Sequence, residues 1–265
     1  MKIAGKTVVI TGASSGLGAA LAQGMWRAGA ARLILLGRHE ARLNQVVRAL
    51  QADGADAHAV LADLSYEDDV HAVVDWLRAH AGPVDILVNN AGAGAWNFLE
   101  DSTFAEIREA MAVPYLAAAW LSSALLPAMR QRQHGHIVNI SSVASTLVWP
   151  GATAYIAACR AMRGLSDALA ADLRGSGVHL THYESGPIET PYWSTHPQSR
   201  ARVPGIARLL VRPLSADEAA DAIIRGVEGQ RRHVVAPVMM AAVLRLHGLV
   251  PWAVRGLMVR TGFRP

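Results

Sequence analysis

The stretch Lys6-Thr7-Val8-Val9-Ile10-Thr11-Gly12-Ala13-Ser14-Ser15-Gly16-Leu17-Gly18 joins a short apolar, β-branched run to a turn of glycines and serines that opens a helix. A phosphate-binding loop needs this context. The strand delivers the chain to a tight turn, and the helix that follows offers unpaired N–H groups and its positive dipole end to an anion. Gly12 permits the turn, Gly16 lets the backbone approach a pyrophosphate, and Gly18 allows helix and strand to pack closely. With Ser14, Ser15 and Leu17 they form the first group of candidate cofactor-binding residues.

Outward from this loop, apolar runs and helical periodicity alternate. Strands are expected at Lys6 to Thr11, Arg32 to Leu36, Ala57 to Ala62, Asp85 to Asn89, Gly135 to Ser141, His179 to Glu184 and Arg232 to Ala236. Between them, Glu40 to Ala52 and Asp68 to His80 carry apolar residues at three- and four-residue spacing, the signature of crossover helices. The pattern is that of repeated βαβ units. It predicts an α/β fold: one Rossmann-like, doubly wound domain with a seven-stranded, mostly parallel sheet flanked by helices. Residues 188–213, rich in Pro, Ser, Thr and Arg, are too long for a simple connection and are expected to form a substrate lid. The apolar, basic tail, 237–265, is expected to form two short amphipathic helices.

Of the 265 residues, 52% are hydrophobic and 17% charged, which excludes a disordered chain. The net charge of +4 has a local origin. From Gly229 to Pro265 there is no Asp or Glu, while Arg231, Arg232, Arg245, Arg255, Arg260 and Arg264 lie there. No aromatic-interleaved basic stripe points to nucleic acid. Such a tail can instead meet an anionic membrane surface, fold over a cleft, or lie at a dimer interface. The lone Cys159 forms no internal disulfide, and no Cys/His cluster has metal-ligand spacing. Met1 to Lys6 leaves no room for a signal peptide's apolar region, and the longest apolar run, Val234 to Leu244, is short for a membrane span. A cytoplasmic, homo-oligomeric protein, membrane-associated if the tail binds lipid, is expected.

At the end of the second strand, where a binder of the unphosphorylated dinucleotide has an acid for the ribose hydroxyl, this chain has Gly37 and Arg38. Arg38 can pair with a 2′-phosphate through its fork, with the Ser14 hydroxyl beside it. NADP(H) is therefore expected in preference to NAD(H).

Taken together, these segments resemble the short-chain dehydrogenases/reductases, from about Lys6 to His233. Thr11 to Gly18 matches the family's TGxxxGxG loop. Asp63-Leu64 matches the pair beside the adenine, and Asn89-Asn90-Ala91-Gly92 the NNAG segment at the end of the central strand. Ser185-Gly186-Pro187 through Ile188 to Thr190 resembles the family's PG motif, with Ser185 in place of its usual proline. The resemblance implies that Asp63, Leu64, Asn90, Ala91, Gly92, Gly186, Ile188 and Thr190 contact the cofactor, Thr190 at the nicotinamide amide. It further implies a tetrad of Asn, Ser, Tyr and Lys. Tyr155 matches the general acid/base, which also touches cofactor, and Ser142, thirteen residues earlier, the group that positions the substrate oxygen.

Two tetrad positions depart from the family. Where the lysine belongs stands Cys159, and where the asparagine belongs stands Pro114. In the family the lysine lowers the tyrosine pKa; a unit charge about 5 Å away at an effective dielectric near 20 contributes roughly 3 kcal/mol, or about two pKa units. Arg160 is the neighbouring candidate to replace it. Pro114 can bend its helix without supplying the lost side chain. Three readings stay open: an NADP(H)-dependent oxidoreductase acting on a carbonyl or alcohol of an apolar substrate, a non-catalytic NADP-binding protein of this fold, and an enzyme of this fold with non-redox chemistry. Trp96, Phe98, Trp149, Tyr192 and Trp193 are the aromatic residues expected around the substrate. His134, His136 and His182 flank strands and are expected to be structural.

Overall fold

Each of the seven expected strands forms, with ends within one residue of those expected. The computed structural model describes residues 1–92 and 94–263. The strands are β1 (Thr7–Thr11), β2 (Arg32–Gly37), β3 (Ala57–Leu61), β4 (Ile86–Asn89), β5 (Gly135–Ser142), β6 (Val178–Ser185), the short β7 (Ile188–Glu189) and β8 (Leu214–Ser215), and β9 (His233–Ala236). Seven of them make one parallel sheet in the order β3-β2-β1-β4-β5-β6-β9, while β7 and β8 pair separately.

The order reverses between β1 and β4. The chain first winds outward from β1 to β3, then returns to the other side of β1, so the connections leaving β1 and β4 diverge and open a crevice at their carboxyl ends. Alternation along β1 sends Val8 and Ile10 to one face and Val9 to the other. The first face is covered by α1 (Gly16–Arg27), α2 (Glu40–Ala52) and α10 (Ala216–Glu228), through Leu21, Leu43 and Ile223 among others. The second is covered by α3 (Glu67–His80), α5 (Ala117–Gln131) and α6 (Thr153–Asp172), with Val73, Leu77 and Leu121 buried against it. Three acids in the first turn of α3, Glu67, Asp68 and Asp69, suit its positive end.

Pro114 bends its helix in a specific way. From α4 (Phe104–Met111), capped by the Thr103 hydroxyl and Glu106, the chain enters a π-helical turn, Ala112–Leu116, before continuing as α5. A proline has no N–H to donate and its ring crowds the preceding turn; the wider turn accommodates both. This helical stretch, Phe104–Gln131, is long and apolar enough to cross a membrane by length and composition, but it packs on the sheet through Ala117, Leu121 and Met129.

Residues 188–213 are more ordered than a long irregular connection. They hold β7 and three short helices, α7 (Tyr192–Thr195), α8 (Pro197–Ala201) and α9 (Gly205–Leu210). In the tail, two helices form as expected, α11 (Val238–Leu249) and α12 (Pro251–Arg260). They are not amphipathic, however: α11 buries Met240 and α12 buries Val254 and Met258, yet Val238, Leu249, Trp252 and Val259 on the outside are apolar and exposed. A third apolar cluster joins Trp96, Leu147, Trp149, Val203, Val211, Met240, Val254 and Met258, so the tail packs over the carboxyl end of the sheet.

Two glycines on helices separate close approach from mere flexibility. A Cβ on Gly18 would lie 2.2 Å from the Gly12 carbonyl oxygen, whereas one on Gly164, exposed on α6, would meet nothing within 4 Å. Gly18→Ala is expected to lower stability by about 1–3 kcal/mol through overpacking. Gly164→Ala is expected to raise it by about 0.5–1 kcal/mol. Thermal melts of the two variants check the opposite signs.

Candidate active site

The phosphate loop is pinned to the end of β4 by one hydroxyl and one amide. Thr11 Oγ1 donates to the Val88 carbonyl at 3.3 Å and accepts from the N–H groups of Asn90 at 2.9 Å and Ala91 at 2.8 Å. The Asn90 amide donates in turn to the carbonyls of Thr11, at 2.8 Å, and Gly12, at 3.3 Å. Gly12 and Gly16 both have positive φ, and a Cβ on Gly12 would come within 2.9 Å of Ala91 Cα. At the start of α1 the Ser15 side chain makes no capping hydrogen bond. The first turn of a helix has four N–H groups without helical partners. Here the first residues of α1, Gly16, Leu17 and Gly18, line the crevice.

All the candidate cofactor-binding residues of the sequence, with Ser142 and Tyr155, line one continuous cavity of about 670 Å³. Gly12, Ser14, Ser15, Gly16, Leu17 and Gly18 form its floor at the carboxyl end of β1, with Asn90, Ala91 and Gly92 beside them. Arg38, Asp63 and Leu64 stand at one end, and Gly186, Ile188 and Thr190 follow β6. Ser142 and Tyr155 line the same space. The residues fit a dinucleotide: a cradle too tight for side chains at its floor, and cations at one end.

Sequence reasoning missed two of the groups at that end, His39 and Arg42. Arg42 lies on the first turn of α2, just beyond the end of β2, and its nearness in sequence to Arg38 is the signal that could have revealed it. Arg38 itself is half-exposed and donates to Glu109 Oε1 at 3.1 Å. The His39 imidazole is held below its usual pKa by desolvation, then by Arg42 and Arg38. Burial pushes the Asp63 carboxyl up, but hydrogen bonds from the Ser65 hydroxyl, at 2.7 Å, and N–H, at 3.1 Å, with Arg38 nearby, bring it below its ordinary value.

Tyr155 sits in the first turn of α6, and Cys159 one turn further along the same helix, both on the cavity wall. Burial pushes the Tyr155 phenol well above its usual pKa; Cys159 raises it further, while the Ser142 hydroxyl draws it part of the way back. The Cys159 thiol is itself pushed up to about 11 by burial, despite hydrogen bonds with Tyr155 and Ser141. Arg160 does not take the lysine's place. Its side chain is exposed and donates to the Thr146 carbonyl at 3.3 Å, because each step along a helix turns about 100° away. Among the described residues no lysine lines the cavity. Pro114 reaches its wall from the π-helical turn.

Trp96, Trp149, Tyr192 and Trp193, the aromatic residues expected around a substrate, line the cavity together with Tyr155. The Trp96 ring lies 5.2 Å from those of Tyr155 and Trp149 and 5.8 Å from Trp193. Tyr192 is tied across the cleft by its hydroxyl, which donates to the Gly94 carbonyl at 2.9 Å. Phe98 departs from the expectation: it does not line the cavity but packs against Phe263 and the Arg202 guanidinium. Arg202 binds the Trp96 carbonyl and Asn97 Oδ1, and this anchor draws the loop that carries Phe98 outward.

Beneath Ser142 and Tyr155 lies a charged cluster that the sequence reading passed over. Glu184, wholly buried on β6, is hydrogen bonded to Ser145 and to His233 at 3.0 Å, and lies 3.2 Å from Arg163 and 3.4 Å from His182. Burial alone would raise its pKa, but these partners hold it well below the carboxylate range. A Glu inside a strand buried on both faces is the signal that could have revealed it, since such a charge requires partners. His182 belongs to this cluster, and His136 is buried against Thr181 at 2.8 Å.

The short chain dehydrogenase family profile matches residues 6–201. The chain belongs to that family. An uncharacterized oxidoreductase of Mycobacterium bovis is 38% identical over 194 residues, 71% of this chain and 57% of that protein. A dehydrogenase/reductase SDR family member 7B of Danio rerio is 38% identical over 192 residues, 70% of this chain and 62% of that protein. The chain therefore spans rather less than two thirds of the length of such relatives. Among solved structures, a Sphingobium yanoikuyae short-chain dehydrogenase in complex with NADPH is similar with a TM-score of 0.80 and 31% identity, over 96% of this chain and 95% of that one. A Burkholderia phymatum short chain dehydrogenase/reductase in complex with NAD gives 0.83 and 26%, over 100% and 99%. The seven-stranded parallel sheet between helices is thus the family's own.

Proposed function

We propose that this family member is an NADP(H)-dependent oxidoreductase that interconverts a carbonyl and an alcohol on an apolar substrate, with Tyr155 as proton donor and Ser142 as the group that holds the substrate oxygen. The observation that carries the reading is the single cavity that joins the phosphate loop and Arg38 to Ser142, Tyr155 and a wall of aromatic rings. Complexes of similar proteins with NADPH and with NADP support the cofactor, though another holds NAD. The Arg38 and Arg42 pair, with no acid at the end of β2, favours a 2′-phosphate.

When bound, the nicotinamide supplies or accepts the hydride. The protein's own work is to hold the reacting oxygen and move its proton. Ser142 donates to the substrate oxygen as negative charge builds there, and Tyr155 gives that oxygen its phenolic proton. A phenol held well above its usual pKa stays protonated at neutral pH, which suits reduction. Oxidation needs the phenolate as base and has no cation here to stabilise it. The short helices of 188–213 act as a lid: Trp193 packs on Trp96 and Tyr192 on Trp193, and together they shield the reacting atoms from water.

A second reading, a nicotinamide cofactor binder without turnover, is favoured by one observation: among the described residues no lysine faces Tyr155, and Pro114 stands where the family's asparagine belongs. Turnover of NADPH across a panel of carbonyl compounds separates the two. Titrations of NADPH and NADH are expected to show tighter binding of NADPH, and Arg38→Ala to erase most of the difference; equal affinities in the native protein would remove the cofactor assignment.

The vacancy of positive charge at position 159 is testable by refilling it. Cys159→Lys is expected to lower the Tyr155 pKa by about two units and to raise alcohol oxidation near neutral pH about ten-fold or more. The pH-rate profile of oxidation checks this, because its rise with pH, which follows formation of the phenolate, should move from strongly alkaline pH toward neutrality. An unmoved profile would mean that the native site already compensates for the lysine.

A further inference from the structure

The outer face of the tail is apolar where water should select polar residues. On α12, Val254 and Met258 point inward, and Trp252 and Val259 lie roughly 100–160° round the helix from them. Trp252 is 77% exposed. On α11, opposite the buried Met240, stand Val238 and Leu249, 85% and 81% exposed. A helix apolar on all sides implies a second apolar surrounding beyond the protein's own core. The cations interleaved on these outer faces, Arg245, Arg255 and Arg260, are also exposed, and no acid occurs from Gly229 to the end of the chain.

Three further residues tie this face to the cavity. Leu210, Leu246 and Leu257 line the cavity and are at the same time 53%, 51% and 46% exposed, so its mouth opens within the apolar patch. We propose that the outer face of α11 and α12 docks on an anionic lipid surface, with the mouth of the cavity opening toward the bilayer. Apolar side chains and Trp252 then enter the headgroup boundary while the arginines meet lipid phosphates and carboxylates. A second copy of the chain fits less well. An isologous contact would set this basic, acid-free patch against itself and bring arginine to arginine. Passage of an apolar substrate from bilayer to cavity rests on the proposed oxidoreductase reading; the docking does not.

The test is flotation of the full chain with vesicles of phosphatidylcholine plus phosphatidylserine, and with phosphatidylcholine alone. The protein is expected to float with the anionic vesicles, to lose that binding in high salt, and to bind neutral vesicles weakly. The double changes Leu249→Glu with Trp252→Glu, and Arg245→Glu with Arg255→Glu, are each expected to reduce anionic binding about ten-fold or more. All four positions are exposed, so NADPH binding and thermal midpoint should persist and show that the variants fold. Failure of the native chain to float overturns the proposal, as does flotation undiminished in both variants. A dimer by light scattering that Leu249→Glu with Trp252→Glu dissolves, without flotation of the native chain, would assign the face to a second copy instead. Because no turnover is measured, these outcomes are independent of the oxidoreductase reading.

Discussion

The Thr11 hydroxyl holds the two central strands together at the point where their connections part. It receives the N–H groups of Asn90 and Ala91 while Asn90 returns its amide to Thr11 and Gly12, so the phosphate loop and the end of β4 form one rigid ledge. Everything else in the site is measured from this ledge. Gly18 can press against the Gly12 carbonyl only because it lacks a side chain, and that approach aims the start of α1 into the crevice. The remaining strands extend the ledge to Ser142, and α6 sets Tyr155 above it.

The strands and the loop were legible because burial on both faces of a parallel sheet demands nearly continuous apolar runs, and glycines mark where backbone must meet backbone. Arg38 was legible for a comparable reason: its place follows from the end of β2. Phe98 was not, since its direction depends on the anchoring of a loop by Arg202, more than a hundred residues away in sequence. Arg160 failed for a local reason, the rotation of the helix. The helices within 188–213 lie hidden in a stretch whose proline and serine content suggests irregular chain, and they are held by contacts such as that of Tyr192 with Gly94. The exposed apolar side chains on the outer faces of α11 and α12 were visible as composition but not as geometry.

The chemical character of the site follows from charge that is present in one place and absent in another. Below the site, the buried Glu184 is surrounded by Arg163, His182 and His233, and this cluster ties β6, β9 and α6 behind Ser145. Beside Tyr155, the described residues that line the cavity offer only the neutral thiol of Cys159. A phenol in such surroundings keeps its proton. Under the proposed reading it gives that proton to the substrate oxygen as the hydride arrives.

The most direct measurement is the single-turnover rate of carbonyl reduction with NADPH, compared between the native chain and Tyr155→Phe. Loss of the phenolic proton donor should slow turnover by about 10²–10⁴-fold while NADPH binds as before, because the ring and the phosphate loop are retained. Turnover undiminished in Tyr155→Phe would contradict the account, and so would a native protein that binds NADPH yet reduces no carbonyl in a panel of apolar aldehydes and ketones.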